Sequence, residues 1–124
     1  MITRLQCSAM MLTGALWLIA LGATAQDAAV VNATTVHVTL DNEHVRVLDS
    51  VLKPGQQEKL HSHPACVIHV LSGGTARNHL ADGKVVDVKL KAGDTLYRDP
   101  MTHWAENTGR TTLHLLIVEL KAAS

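Results

Sequence analysis

The sequence predicts an all-β fold, a small antiparallel barrel or sandwich, for the chain after residue 25. The strand-like runs are short and evenly spaced, turn residues separate them, and no convincing helical pattern follows residue 26. The predicted strands are 36–40, 45–52, 58–63, 66–71, 75–80, 85–90, 95–98, 103–107 and 111–120.

Turn residues and β-prone residues support these elements individually. Asp82-Gly83 predicts a two-residue hairpin with a type I′ turn. The run 85–90 is rich in valine and partly alternates with charged residues, as a half-buried strand does. The run 111–120 resembles a helix in its apolar content, but its Thr, Ile and Val after Asn-Thr-Gly favour a closing strand.

The first 25 residues have the pattern of a secretory signal peptide. A basic Arg4 precedes an apolar run over 9–21, and the small residues Ala23 and Ala25 follow it. The run is shorter than the roughly 20 residues that span a bilayer. We therefore expect cleavage after Ala25 and a periplasmic or secreted protein, with an uncleaved anchor as the alternative.

The rest of the chain has the length of one domain. Residues 26–35 are small and polar and are interpreted as a linker or an edge segment, followed by a domain over 36–124. Over the whole chain, eleven basic residues balance eleven acidic ones, and they form no basic cluster. Neither nucleic acid nor a membrane is therefore expected as a partner after signal cleavage. Cys66 is the single cysteine after residue 25, which excludes an internal disulfide.

Histidine is the unusual residue, and all eight copies follow residue 26. His61 and His63 lie two apart in a predicted strand, so their side chains share one face and can converge on a cation. Such a pair is also common at surfaces by accident. His103 begins a later predicted strand, and the folded barrel could bring it across the interior as a third ligand. Three imidazoles leave positions open for water or substrate.

The two histidine segments together resemble the cupin superfamily. Its first motif is G(X)5HXH(X)3–4E(X)6G and its second is G(X)5PXG(X)2H(X)3N. The matching residues are Gly55, His61, His63 and Gly73 for the first motif, and Gly93, Pro100, His103 and Asn107 for the second. Pro100 stands one place late, and the segment between it and His103 is shortened.

The resemblance implies a cupin domain, which is a double-stranded β-helix or jelly roll, with His61, His63 and His103 as ligands of a divalent metal. The resemblance does not choose among iron, zinc, manganese, nickel and copper. The usual motif glutamate is missing, since no acidic residue lies between His63 and Asp82. Cys66 stands in its place, as a small buried hydrophobe, as a thiolate ligand or as a redox-reactive thiol.

Without that glutamate, the ion is expected to keep its full charge and to favour anionic ligands. Glu106 is expected to point outward by alternation from His103. No carboxylate is therefore placed in the cavity, and no general base is identified.

The sequence also predicts the placement of four residues near the histidines. Ile68 shares the face of Cys66, and His69 points to the opposite face. Tyr97 is a candidate for pocket wall or rim packing. Asn107 is interpreted as a turn-forming residue or a hydrogen-bond partner of the site, not as a ligand.

The sequence thus leaves the function open between three classes. The first is a metal-dependent enzyme on a small molecule, for which the resemblance implies dioxygenase, isomerase or lyase chemistry. The second is a non-catalytic cupin that binds a metal or small ligand. The third is a cupin that has lost its metal. A homodimer is expected in each case, because a small cupin exposes sheet edges.

Overall fold

The computed structural model describes residues 26–122, so the expected signal peptide over 1–25 lies outside the described part. No helix within 26–122 is long and apolar enough to cross a membrane. The elements are α1 (Ala28–Val31), β1 (Val36–Asp41), β2 (Val45–Leu52), β3 (His61–His63), β4 (Cys66–Ser72), β5 (Gly74–Leu80), β6 (Val85–Leu90), β7 (Thr95–Arg98), β8 (Met101–Asn107) and β9 (Leu113–Leu120).

The strands form two antiparallel sheets. One sheet has the order β1-β2-β9-β4-β7 and the other has the order β3-β8-β5-β6. Strand β9 pairs with β2 on one side and β4 on the other, while β8 lies between β3 and β5. Strands distant in sequence are thus neighbours in both sheets, as in a jelly roll. The predicted all-β fold is confirmed.

The core lies between the two sheets. Leu52 of β2 and Leu113 of β9 pack with Ala76 of β5, which belongs to the other sheet. Side chains on β2 alternate, and Leu48 and Leu52 are among those buried, as expected of a strand with one face toward the core. The space between the sheets is also where the histidines lie.

The segment 26–35, expected as a linker or edge segment, folds onto the barrel as part of the domain. Asp27 caps the short helix α1 by accepting hydrogen bonds from the amides of Ala29 and Val30. Ala28 is fully buried in the core cluster that contains Cys66. A small residue at this position lets the chain pack closely against the sheet.

Strand β3 is shorter than predicted, because it begins at His61 and not at residue 58. The backbone of Lys59 leaves the ladder and bonds side chains instead. Its amide donates to Asn32 Oδ1 at 2.7 Å, and its carbonyl accepts from His61 Nδ1 at 2.7 Å.

The hairpin between β5 and β6 forms as predicted, but the turn type differs. The Gly83 amide donates to the Leu80 carbonyl, and within 26–122 no residue other than glycine has a positive φ. Only Gly83, with φ of 89°, is left-handed in this turn, whereas a type I′ turn needs two such residues.

Candidate metal centre

Strands β3 and β8 bring the three motif histidines together. His61 lies directly opposite His103 in the antiparallel register, and His63 lies two residues further along β3 on the same face. His103 was expected to reach the pair across the interior. It lies instead in the same sheet as the pair, because β8 is the strand that pairs directly with β3.

The three rings form a tight group. Their centroids lie 4.7 Å apart for His61 and His63, 4.7 Å for His61 and His103, and 5.5 Å for His63 and His103. One ring nitrogen of each lies within 4.8 Å of the others. The Nε2 atoms of His61 and His63 are only 2.9 Å apart.

The tautomer of His61 follows from its hydrogen bonds. Two groups contact Nδ1, the Lys59 carbonyl at 2.7 Å and the Asn32 Nδ2 amide at 3.1 Å. The carbonyl is closer and can only accept, so Nδ1 carries the proton and Nε2 keeps a lone pair. Asn32 fixes this carbonyl, since its Nδ2 donates to Lys59 O while its Oδ1 accepts from Lys59 N. Burial lowers the pKa of His61, which favours the neutral ring.

His63 is oriented by a carboxylate from the opposite sheet. Its Nδ1 donates to Glu119 Oε1 at 2.7 Å, which again leaves the Nε2 lone pair free. Burial alone would raise the pKa of Glu119, but hydrogen bonds from His63 and Arg46 outweigh burial and hold that pKa below its usual value. Arg46 donates to Glu119 Oε2 at 2.7 Å and also pairs with Asp27 beside helix α1.

His103 carries the clearest sign of an incomplete site. Its Nδ1 lies 3.3 Å from Asn78 Oδ1, an acceptor, so Nδ1 donates there. Its Nε2 is buried and has no hydrogen-bond partner within residues 26–122. Burial, followed by repulsion from His61 and His63, lowers the pKa of His103 to about 3, so a proton does not fill this position at neutral pH.

These three nitrogens fit a divalent transition metal. Each Nδ1 is occupied as a donor, so the three Nε2 lone pairs converge and repel one another unless a cation lies between them. Two metal–nitrogen bonds of ~2.1 Å at right angles place their nitrogens roughly 3 Å apart, close to the 2.9 Å between His61 and His63. Neutral imidazole suits zinc, copper, iron and nickel.

A cavity between the sheets opens beside the histidines. It has a volume of about 80 Å³, and His63 and His103 line it together with mostly apolar side chains from both sheets. Arg98 is the one basic Lys or Arg side chain among the described residues that line it. One water needs roughly 10–15 Å³ on this measure, so the cavity has room for a small molecule.

A family model described as "Cupin domain" matches residues 48–119. The chain belongs to the cupin family. A search of curated proteins gives no match.

Several solved structures share this fold. A cupin domain from Bordetella pertussis Tohama I is 24% identical with a TM-score of 0.66, over 82% of this chain and 100% of that chain. An RmlC-like cupin family protein from Methanocaldococcus jannaschii is 21% identical with a TM-score of 0.56, over 68% and 77% respectively. A double-stranded β-helix protein from Klebsiella pneumoniae is 26% identical with a TM-score of 0.53, over 72% and 78%.

The cupin site also contains a carboxylate that the sequence did not reveal. Glu58 lines the cavity, its side chain is 9% exposed, and Oε2 lies 3.8 Å from His61 Nε2. No carboxylate could be placed in the cavity from the sequence, and the structure adds Glu58 to its lining. Cupins usually supply a glutamate after the histidine pair, whereas Glu58 precedes the pair by three residues.

Burial dominates the chemistry of Glu58. It raises the pKa of this carboxyl to about 7, against smaller opposing effects from His63 and the Ala105 backbone. A carboxylate here offsets part of the charge of any ion on the histidines. The expected preference of this cupin for anionic ligands is weakened accordingly.

Cys66 behaves as a buried hydrophobic residue. It is 1% exposed and belongs to the core cluster with Leu48 and Ile117, although it also lines the cavity. It is not part of the group of metal-ligating atoms formed by the three histidines. That exclusion disfavours the ligand interpretation. Burial raises the pKa of the metal-free thiol to about 11, which keeps it protonated and disfavours the reactive-thiol interpretation.

The remaining expected site residues divide between cavity and scaffold. Ile68 lines the cavity. Asn107 does not touch the histidines, because its Nδ2 donates to the carbonyls of Leu52 and Thr111 and its Oδ1 accepts from Gly109, which is a turn-forming role. Tyr97 is 57% exposed and is absent from the described cavity lining.

Two predictions from strand alternation hold. The imidazole of His69 bonds Thr95 on the exposed side of β4. Glu106 accepts hydrogen bonds from Gln57 and His79 outside the barrel, so it does not serve the cavity.

Proposed function

We propose that this cupin is a metal-dependent enzyme that acts on a small molecule in the cavity beside His61, His63 and His103. Reactions of the dioxygenase, isomerase or lyase type are the candidates. The observation that carries the proposal is the convergence of three Nε2 lone pairs, one of them buried without a partner, at a cavity wall.

The protein side of this chemistry can be assigned by residue. A bound divalent metal would supply Lewis acidity and open positions for substrate or water. His61, His63 and His103 hold it, while Lys59, Glu119 and Asn78 fix the tautomers of those three rings. The apolar lining limits the entry of water, and Arg98 offers a positive group to a polar or anionic end of the substrate.

The proposed setting is outside the cytoplasm. Cleavage after Ala25 would leave Gln26 as the first residue, and Gln26 already lies on the barrel, where its carbonyl accepts from the Ser62 amide. Intact mass of the protein recovered from the periplasm tests this, with a chain that starts at Gln26 expected.

A homodimer is part of the same proposal. β1 is an edge strand on which Val38 and Leu40 are about half exposed, at 46% and 50%. Light scattering during gel filtration should give twice the mass of the chain, and a monomer at micromolar concentration would contradict it.

Metal content is the first test of the enzyme proposal. Untagged protein from its native compartment should contain about one equivalent of metal, and His61→Ala should empty the site. His69→Ala is the matched control, because His69 lies on the exposed face of β4 and bonds Thr95. Wild-type protein without metal that also binds none when titrated would overturn the proposal.

Turnover then separates an enzyme from a binder. Metal-loaded protein should convert a small-molecule substrate repeatedly, with dioxygen uptake or rearrangement as the signal. Stoichiometric binding without turnover across a panel of small substrates would favour the non-catalytic cupin.

A further inference from the structure

We propose that Glu58 is a fourth, acidic ligand of the metal, supplied from the segment before the histidine pair instead of after it. This inference rests on the proposed metal site. It assigns a residue to that site which the family motifs do not.

The electrostatic environment of Glu58 is the first argument. Its side chain is 9% exposed, and within residues 26–122 no lysine or arginine nitrogen lies within 4 Å of its carboxylate. Burying a carboxylate without a counter-charge is costly in any fold. A divalent cation on the adjacent histidines would supply that counter-charge.

Glu119 shows what a structural carboxylate looks like in the same molecule. It is 3% exposed, and its two oxygens are bonded to His63 Nδ1 and Arg46 Nε, each at 2.7 Å. Arg46 neutralises the charge of Glu119. Glu119 contacts the Nδ1 edge of the His63 ring, on the opposite side from the Nε2 lone pair. Glu58 lacks an Arg or Lys partner and lies on the Nε2 side.

Position is the second argument. Glu58 Oε2 lies 3.8 Å from His61 Nε2, and that nitrogen lies 2.9 Å from His63 Nε2. Two ligand atoms at ~2.1 Å from one ion and at right angles are roughly 3 Å apart. Glu58 lies outside the group of ligand atoms that are all within 4.8 Å of one another. Its carboxylate therefore has to move toward the three nitrogens, and rotation of the flexible glutamate side chain is the movement that brings it there.

The backbone holds Glu58 on the histidine sheet. Its amide donates to the Ala105 carbonyl of β8 at 2.8 Å. Ala105 lies two residues from His103 and lines the same cavity, so the pairing places Glu58 along the face that carries the histidines.

The experiment compares Glu58→Gln with Glu106→Gln, titrating the metal-free proteins with Mn²⁺ and with Zn²⁺ by calorimetry. Glu106 is the matched control, because it lies one residue beyond Ala105 but faces outward onto Gln57 and His79. Glu58→Gln should weaken Mn²⁺ binding at least tenfold and Zn²⁺ binding less, since carboxylate suits manganese while imidazole suits zinc. Glu106→Gln should stay within twofold of wild type for both ions.

Melting of the metal-free proteins separates a ligand from a scaffold residue. Glu58→Gln should melt at the same or a higher temperature than wild type, because it removes an uncompensated buried charge. Unchanged Mn²⁺ affinity in Glu58→Gln would overturn the inference, as would equal losses for both ions together with a lower melting temperature. If wild type binds metal and His61→Ala does not, the proposed function survives that result; if wild type binds no metal, both fail.

Discussion

Two buried glutamates flank the three histidines, and they differ in how their charge is compensated. On the β9 side, Glu119 is bonded to His63 and to Arg46, and Arg46 is bonded in turn to Asp27. On the β3 side, Glu58 has a 3.8 Å contact with His61 and, within residues 26–122, no basic Lys or Arg partner. Within the described residues, the fold compensates the charge of Glu119 and leaves that of Glu58 without a basic Lys or Arg partner.

Whether a buried polar group has a partner distinguishes structural residues from site residues more clearly than the degree of burial does. Asn107 makes the same point at the other end of β8, since it is buried and its amide is fully bonded. His103, on the same strand, is partly buried and keeps an unpartnered Nε2. Buried polar groups that are satisfied hold the barrel together, whereas unsatisfied ones mark the place where a ligand belongs.

The largest expected effect is on the β9 side. Glu119→Gln should destabilise the metal-free protein by about 3–5 kcal/mol, because it breaks a buried ion pair and leaves Arg46 with Asp27 alone. Urea denaturation measures this. Glu106→Gln, whose hydrogen bonds lie outside the barrel, should cost much less stability than Glu119→Gln. Equal costs for the two variants would remove the contrast between the Glu119 side and the surface.

On the β3 side, Glu58→Gln should stabilise the metal-free protein, and the size of this gain should depend on pH. The pKa of Glu58 is raised from 4.5 to about 7 in the folded state. The unfolded chain therefore releases this proton first as the pH rises, and the folded state loses stability between about pH 4.5 and 7. Glu58→Gln lacks this loss, so its advantage over metal-free wild type should grow to on the order of 3 kcal/mol by pH 7 and then stay level.

Denaturation at several pH values checks this prediction. The contribution of His103 cancels in the comparison because both proteins contain it. A difference between wild type and Glu58→Gln that did not vary with pH would show that Glu58 is well solvated in the folded state.

A bound metal ion should then compensate the charge of Glu58 and stabilise the folded protein. At a free concentration of one hundred times its Kd, the ion should stabilise wild type by about 2.7 kcal/mol, because it binds only the folded site. A chelator should reverse the gain. His103→Ala should show no such gain, and a gain retained by this variant would place the ion elsewhere.

The smallest expected effect concerns Cys66. Cys66→Ala should cost about 1 kcal/mol of stability, as a modest loss of packing, and should leave metal affinity within twofold. Calorimetric titration of the two proteins decides this. A tenfold weaker site would restore the thiolate-ligand hypothesis.

The fold was predictable because strand periodicity and turn residues are local signals. β2, β6 and β7 have the predicted bounds, and the His-x-His spacing placed His61 and His63 on one face. The route by which His103 joins them depends on sheet order, which no local pattern carries. The sequence therefore predicted which three histidines cluster, but not that His103 lies in the same sheet as His61 and His63.

Glu58 and the 26–35 segment escaped prediction for a related reason. Glu58 lies three residues before His61 in a stretch predicted as regular strand, where alternation places it opposite to the histidine face. The departure of Lys59 from the ladder changes that orientation, and it depends on Asn32, a residue in the segment expected as a linker. The position of Glu58 thus depends on a contact with the 26–35 segment, which no local pattern reveals.

X-ray absorption spectroscopy of the metal-loaded protein tests the three-histidine centre most directly. The fine structure should fit three imidazoles together with oxygen ligands at about 2.0–2.2 Å, without a sulfur near 2.3 Å. His69→Ala should give the same spectrum. A sulfur shell, or one imidazole or none, would contradict the convergence of His61, His63 and His103 on a single ion.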